Sequence, residues 1–413
     1  MKYKFIKPDS FIGRYMQSME VVETPHSYDF WCACWLMSQA LGRRTIVARP
    51  SAPVYMNWYM ILVAESGITR KSTAVRFATQ LARECFELWK DVHLTTVKVT
   101  PEELERVLHK QTADHGHAQY AIAISELVTF LGREKAMMQM PGLLTDLFDC
   151  PALRAGGGTL TRGETLIRNN FTTLLAASTP VWLVRSINPD VIEGGFTSRT
   201  LFVADEARKR KIAWSENERE TYDFVMELTA IREMSERTPE IKITEPALAR
   251  FRKWYNSRVE SRDVFRASFE SREDAHILRL AAMLAVNDNS WQISAENIIN
   301  AIAVINDVKE KGAMIFEASM DQSDLSVAID KLRSALMDAG KSGLKQSVLA
   351  KLVVNYLKGT ELRAILMIMH ELGMVNRFDK IKLAGKGAPA TVWQATQLIL
   401  QPDAIDVIKG AML

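Results

Sequence analysis

Only four cysteines occur in 413 residues, Cys32, Cys34, Cys85 and Cys150. They are too few and too scattered for a disulfide framework, and Cys32 with Cys34 lacks the C-x-x-C spacing of redox and zinc sites. His115 and His117 have no Cys or carboxylate cluster beside them in sequence to complete a ligand set, so no structural metal is predicted. No run of about 18 apolar residues is present, which excludes a membrane-spanning helix. The opening stretch MKYKFIKPDSFIG lacks the apolar run of a signal peptide, and a cytoplasmic location is the expectation. Charge of one sign is also scarce. With 52 Lys and Arg against 49 Asp and Glu, the net charge is +3, so nucleic-acid contact must come from local basic patches and not from a global field. What is present suits a globular protein: 47% hydrophobic and 24% charged residues, over a length that allows two or three cores.

Two glycines are missing where a motif asks for them. AESGITRKST, residues 64–73, follows the phosphate-loop pattern G-x-x-x-x-G-K-[ST], yet Glu65 and Arg70 hold the glycine positions and only Gly67 lies between. Glycines let backbone N–H groups wrap a phosphate, the Lys reaches the outer phosphates and the Ser/Thr holds Mg²⁺. Lys71 and Ser72 are in place for those two roles. The apolar run VYMNWYMILVA before the loop reads as one buried strand, and STAVRFATQLARECFELWK after it carries Val75, Ala78, Leu81, Ala82, Cys85, Leu88 and Trp89 at helical spacing. The loop therefore sits between a buried strand and a helix N-terminus, where free N–H groups and the helix dipole favour an anion.

The rest of the chain extends this pattern. Residues 9–42 read as a mostly helical, densely apolar cap. Thr100-Pro101-Glu102-Glu103 opens a helix to about residue 111, with an N-cap, a first-position Pro and a reciprocal Glu. YAIAI is a second buried strand, ending at Ser125-Glu126. Glu126 suits the role of polarising an attacking water, while Ser125 stands where a Mg²⁺-site Asp is expected; Ser125 through water, Asp146 and Asp149 are the candidate replacements. AGGGTLTRGETLIRNNF predicts a hairpin, TTLLAASTP a third strand and TLFVA a fourth. Alternating strands and helices to about residue 205 predict a three-layer α/β sandwich around a mainly parallel sheet.

The basic residues Arg208 to Lys211 read as a solvated linker. Beyond them the chain reads as helical to about residue 320 without a strand signal. Three short amphipathic helices and two strand-like pieces then give the outline of a winged helix. The expected segments are a helical cap (1–50), an ATPase core (51–205), a helical lid (206–322), a winged helix (323–397) and a tail (398–413).

With these pieces in order, the chain resembles a bacterial, phage and plasmid family of P-loop ATPases known only as a domain of unknown function and often joined to primase domains. YMILVAESGITRKSTA, ISELVTFLGR with GLLTDLFDC, and GGFTSRTLFV carry that resemblance. The second half of the core also resembles minichromosome-maintenance and related AAA+ ring helicases. The resemblance implies ATP and Mg²⁺ as cofactors, bound by Ser66, Gly67, Ile68, Thr69, Arg70, Lys71, Ser72 and Thr73, with Ser72 on the metal. It implies catalytic roles for Lys71 and Glu126, a sensor at Thr179 where the pattern has Asn, and a trans arginine finger at Arg199, whose next residue is Thr200 and not Phe. Arg279, on one helical face with Arg272 and His276, is the candidate second sensor. The 156–168 hairpin would face DNA through Arg162 and Arg168, and the wing through Lys380, Lys382 and Lys386, with Arg363 nearby; a solvated hairpin and a structural or protein-binding wing are the alternatives.

The function this implies is an ATP-driven DNA helicase or translocase, a hexameric homo-oligomeric ring of a phage or mobile element, with DNA and a primase or polymerase as partners. An ATPase that loads or remodels a replication complex is the alternative, as is a DNA-binding module with a degenerate ATP site.

Overall fold

Long apolar runs decide where the sheet forms. The computed structural model describes residues 3–131, 139–155, 166–186, 195–205, 207–209, 211–214, 222–320, 324–354, 359–381, 390–400 and 408. The chain folds as two units, Met1–Phe316 and Glu317–Leu413. Unit 1 opens with α1 (Phe11–Ser18), α2 (His26–Leu41), β1 (Ile46–Val47), β2 (Val54–Tyr55) and β3 (Tyr59–Val63). It continues through α3 (Lys71–Leu88), β4 (Val92–Thr95), α4 (Pro101–His115), β5 (Ala118–Ile124), α5 (Leu127–Leu131) and α6 (Met140–Phe148). Then follow β6 (Leu153–Ala155), β7 (Leu166–Arg168), β8 (Asn170–Ser178), α7 (Pro180–Ser186), the one-turn helix Phe196–Arg199 and β9 (Thr200–Ala204).

Five strands make one parallel sheet in the order β4-β5-β8-β3-β9. Every residue of β3, β5 and β8 is buried, as expected for strands covered on both faces. The expected mixed α/β class with a parallel sheet is observed. β4, at the sheet edge, carries no continuous apolar run: Val92 and Thr95 are buried, His93 is exposed and Leu94 half-buried, a pattern without the period that marks a strand in sequence.

The run expected as one strand over 54–64 is two. β2 pairs antiparallel with β1, and β3 enters the parallel sheet. Between them Asn57 Nδ2 donates to the Phe148 carbonyl at 2.8 Å and Trp58 Nε1 contacts Met283 Sδ at 2.9 Å, while Asn57 Oδ1 is buried without a hydrogen-bond partner. The helix opened by Thr100 is as predicted at its start, where Thr100 Oγ1 accepts from the Glu103 N–H at 3.3 Å, but it runs on to His115 and closes on Gly116.

α2 is buried on nearly its whole circumference, which places it in the core and not on the surface. Trp31 on α2 meets Trp58 edge-on at 5.4 Å, and Gln39 donates to Thr173 of β8 at 2.9 Å. The residues expected as cap, core and lid share one hydrophobic core. Helices Phe224–Arg237, Glu245–Asn256, Val264–Glu270, Glu273–Asn287 and Ala295–Met320 form the part expected to be wholly helical. It also holds β10 (Lys242–Ile243) and β11 (Gln292–Ile293), a two-residue parallel pair too short to leave a sequence period.

Unit 2 has its own core, built on Leu332, Leu336, Leu349, Ile365, Leu366 and Trp393. Helices Asp324–Ala339, Gln346–Val353 and Gly359–Glu371 accompany an antiparallel sheet of β12 (Leu344–Lys345), β14 (Ala390–Ala395) and β13 (Val375–Ile381), with β14 in the middle. Among the described residues no helix is long and apolar enough to cross a membrane.

α1 is seated by a close backbone approach. Asn287 accepts from the Ile12 N–H at 2.9 Å and donates to the capping Ser10 hydroxyl at 2.8 Å. A Cβ on Gly13 would collide with the Lys7 carbonyl oxygen and lie 2.9 Å from Pro8 backbone atoms. Gly13→Ala should therefore destabilise unit 1 by about 1–3 kcal/mol through overpacking, although Ala is worth up to about 1 kcal/mol over Gly in an open helix. Gly142→Ala in α6, where a Cβ meets nothing within 4 Å, is the control that should not lower the calorimetric midpoint.

Candidate functional site

Parallel strands deliver their carboxyl ends to one edge of the sheet, and a cleft of about 420 Å³ opens there. The chain leaves β3 through α3 for the far strand β4, while β9 is added on the other side of β3. Connections that diverge in this way leave a crevice in which open α/β sheets bind ligands. The cleft is lined by Ser66, Gly67 and Arg70–Thr73 from the loop after β3, Ser125–Leu127 from the end of β5, and Ala177–Thr179 with Trp182 from the end of β8. Lys71, Ser72, Glu126 and Thr179, expected in one site, thus share one cleft.

The loop keeps a left-handed backbone without its last glycine. Arg70 has φ 55° and ψ 31° and precedes the first helical residue, Lys71. For a residue with a Cβ that conformation costs roughly 1–2 kcal/mol. Gly67, at φ 76°, takes a second left-handed position where glycine is free of that cost. An ion pair offsets the strain at Arg70, whose Nε donates to Glu23 Oε2 at 2.8 Å. The Ile212 N–H, Arg70 and Arg208 together hold the Glu23 carboxyl down to about 2.

Lys71 Nζ donates to the Glu65 carbonyl at 3.3 Å, and partial burial lowers its pKa against the opposing charges of Glu65 and Glu126. The Thr73 N–H donates to the Arg70 carbonyl at 2.9 Å, so the orphan donors of the helix start are the amides up to Ser72. Ser72 Oγ lies 3.5 Å from the Ser125 carbonyl. Mg²⁺ keeps several waters and takes few protein ligands beside substrate phosphates. One hydroxyl facing a carbonyl, with Glu126 next in the chain, fits such a sparse donor set.

Two loop residues turn elsewhere. Thr69 is buried, its Oγ1 donating to the Tyr28 hydroxyl at 3.3 Å, and Tyr28 donates to the Val63 carbonyl at 2.8 Å. The Ile68 side chain is exposed and its carbonyl accepts from Arg208 Nε at 2.6 Å. Arg208 and Lys209 are not the solvated linker that the basic run suggests. Lys209 pairs with the fully buried Asp29 at 3.1 Å and donates to the Met19 carbonyl at 2.7 Å. A basic run reads as solvated when its acidic partners are remote in sequence, as Glu23 and Asp29 are here.

Arg199 lies at the opposite edge of the sheet. Thr200 pairs with Tyr59 and Ala204 with Val63, so Arg199 precedes the sheet while the loop follows it, about 16 Å away at 3.3 Å per residue. Its guanidinium donates to Asp149 Oδ2 at 2.7 Å and to the Gly195 carbonyl at 3.1 Å. Arg272 donates to the same carboxylate at 2.8 Å. Asp149 is therefore no replacement for the missing acidic group at the cleft. Asp146 is not one either: it is exposed, lines no part of the cleft, and lies 3.7 Å from Arg154.

Arg279 is likewise absent from the cleft. It is 3% exposed, donates to the Tyr55 carbonyl at 2.6 Å, and stacks between Trp58 and Phe148 at 5.0 and 4.9 Å. Arg168 closes the base of the hairpin, where β7 pairs with β6, and its N–H donates to Thr112 at 3.0 Å. Arg162, Lys382 and Lys386 lie outside the described residues, and Lys380 is placed only as a backbone position on β13.

His276 joins these edge groups, with Nε2 2.9 Å from the Ser198 carbonyl and Nδ1 3.2 Å from Arg279. Burial, reinforced by Arg279, lowers its pKa to about 3 from the ordinary 6.5. The unfolded chain then binds the proton more readily, so stability is full above about 6.5 and falls by about 1.4 kcal/mol per pH unit on acidification toward 3. His276→Gln should remove this one-proton contribution, so the difference between wild-type and variant stabilities from urea unfolding should shrink by about 1.4 kcal/mol per pH unit from about pH 6.5 to 4.5.

No family model matches the chain and no curated protein sequence does, so the expected kinship with a phage and plasmid ATPase family finds no support there. Among solved structures, the chain is similar to a full-length MCM homologue from Methanopyrus kandleri at 13% sequence identity and a TM-score of 0.38, over 72% of this chain and 59% of that one.

Proposed function

We propose that the chain is a Mg²⁺-dependent ATPase of P-loop type that works on DNA as a ring of identical subunits, a helicase or translocase of a phage or other mobile element. The observation that carries the ATPase reading is the convergence of Lys71, Ser72, Glu126 and Thr179 on one cleft, around a loop whose backbone is left-handed at residues 67 and 70.

In this reading the Lys71 ammonium and the amides from Gly67 to Ser72 hold the outer phosphates. Mg²⁺, held by Ser72, would neutralise phosphate charge. Glu126 orients the attacking water and takes its proton, and Thr179 hydrogen-bonds the reacting end of the nucleotide. Arg199 starts on the far edge of its own sheet, so it serves only a neighbouring copy's nucleotide. Hydrolysis would then require assembly, with the hexameric ring as the closed form.

The DNA-facing half of the reading is carried by sequence order. The hairpin that ends at Arg168 and a winged helix over residues 323–397 are its elements, with Arg162, Lys380, Lys382 and Lys386 as phosphate contacts. A primase or polymerase partner belongs to this same setting.

Steady-state ATP hydrolysis with and without single-stranded DNA tests the reading. Lys71→Ala should abolish turnover, Glu126→Gln should lower kcat by about 10²–10⁴, and Arg199→Ala by about 10³–10⁵. Mixing Glu126→Gln with Arg199→Ala protein should restore hydrolysis, because some interfaces then combine an intact Glu126 with an intact Arg199. Failure of the mixture would remove the trans role of Arg199. DNA-stimulated hydrolysis without strand separation would favour a loading or remodelling ATPase over a helicase.

A further inference from the structure

The loop is gripped from behind by residues that no phosphate-loop pattern contains. Arg208 Nε donates to the Ile68 carbonyl at 2.6 Å and Nη2 to the Gly67 carbonyl at 2.9 Å. Its remaining nitrogen, Nη1, donates to both oxygens of Glu23 at 3.1 and 3.0 Å. Glu23 also accepts from Arg70 Nε at 2.8 Å and from the Ile212 N–H at 3.0 Å. One carboxylate thus ties the left-handed residue of the loop to the arginine that holds the loop's carbonyls.

The strap that carries Arg208 is itself anchored. It leaves the sheet at Asp205, whose carboxylate accepts from Ser27 at 2.8 Å, and Lys209 plugs into the buried Asp29. Asp29 in turn accepts from Thr24 at 2.6 Å. Ser27 and Asp29 lie in the first turn of α2, and Glu23 and Thr24 lie just before it.

A trans peptide points its C=O and the following N–H in opposite directions. With the carbonyls of Gly67 and Ile68 turned to Arg208, the N–H groups of Ile68 and Thr69 point away from it. In an ordinary phosphate loop, glycines allow the backbone to present its amides on one side. Here a guanidinium with a fixed fork of donors holds the carbonyl side of the same two peptides.

We propose that Glu23 and Arg208 are positioning residues of the phosphate loop, and that Arg208, anchored beside Asp205, Lys209 and Ile212, replaces the missing glycines at 65 and 70 by fixing the loop's carbonyls from behind. The proposal rests on the reading of the cleft as a nucleotide site. Neither residue touches substrate; both act through the orientation of loop amides. The loop is therefore preorganised by contacts remote in sequence, and nucleotide affinity depends on the N-terminal helices.

The test uses the full chain, a fluorescent N-methylanthraniloyl ATP as probe, and steady-state hydrolysis beside it. Arg208→Ala and Glu23→Gln should weaken probe binding and raise KM by about tenfold or more, while kcat at saturation falls less than threefold. Arg208→Lys should recover only part of the affinity, because one ammonium cannot hold two carbonyls and a carboxylate in the same fork. In a background with glycines restored, Glu65→Gly with Arg70→Gly, the penalty of Arg208→Ala should shrink to less than threefold. A merely structural role would lower the thermal midpoint without this coupling. Undiminished binding in Arg208→Ala and Glu23→Gln, with binding lost in Lys71→Ala, would overturn the strap alone. Undiminished binding in Lys71→Ala would overturn the nucleotide reading itself. A penalty for Arg208→Ala that is the same with and without the restored glycines would also overturn the strap.

Discussion

A parallel sheet has a direction, and that direction sorts the chemistry of this molecule. The carboxyl ends of β3, β5, β8 and β9 all leave at one edge, so the loop at 64–73, Ser125-Glu126, Thr179 and Asp205 gather there whatever their separation in sequence. The amino ends enter at the other edge, and Arg199, Asp149, Arg272 and the base of the hairpin gather there. Within one chain the two sets are kept apart by the length of the strands. A reaction that needs both must bring two chains together, and the sheet imposes that requirement before any particular side chain is considered.

The same polarity places a strained loop where strain is useful. A non-glycine residue at φ 55° persists only when its surroundings overdetermine it. Here the surroundings are an exposed face, where isolated ion pairs contribute little. The Glu23 pair differs because it belongs to a network of charge-assisted bonds: two guanidiniums and one backbone N–H share the carboxylate, and Lys209 is sealed against Asp29 close by. A network of this kind fixes geometry more than it adds stability, since each member restricts the others. Its geometry is what the loop lacks in glycine.

How much of this was legible follows from the range of each interaction. The strands TTLLAAS and TLFVA, the helix after the loop and the Thr100 cap were readable because apolar runs, period and capping act over a few residues. The cleft was readable for the same reason: each of its walls is a strand end. β4, β10 and β11 were not, because a short edge or two-residue strand has no period. Arg279 shared a helix face with Arg272 and His276, and spacing alone could not tell the nucleotide edge from the opposite one. What separates them is tertiary: Arg279 stacks on Trp58 and Phe148, while Arg272 reaches Asp149. The basic run at 208–211 failed most instructively. Charge that reads as solvent-facing in a window of ten residues is, for Arg208 and Lys209, satisfied by acids in the N-terminal helical region. A degenerate motif invites the inference that its function is lost. The physical question is instead whether the backbone geometry that the lost residues supplied is supplied from elsewhere, and in this molecule distant side chains hold it.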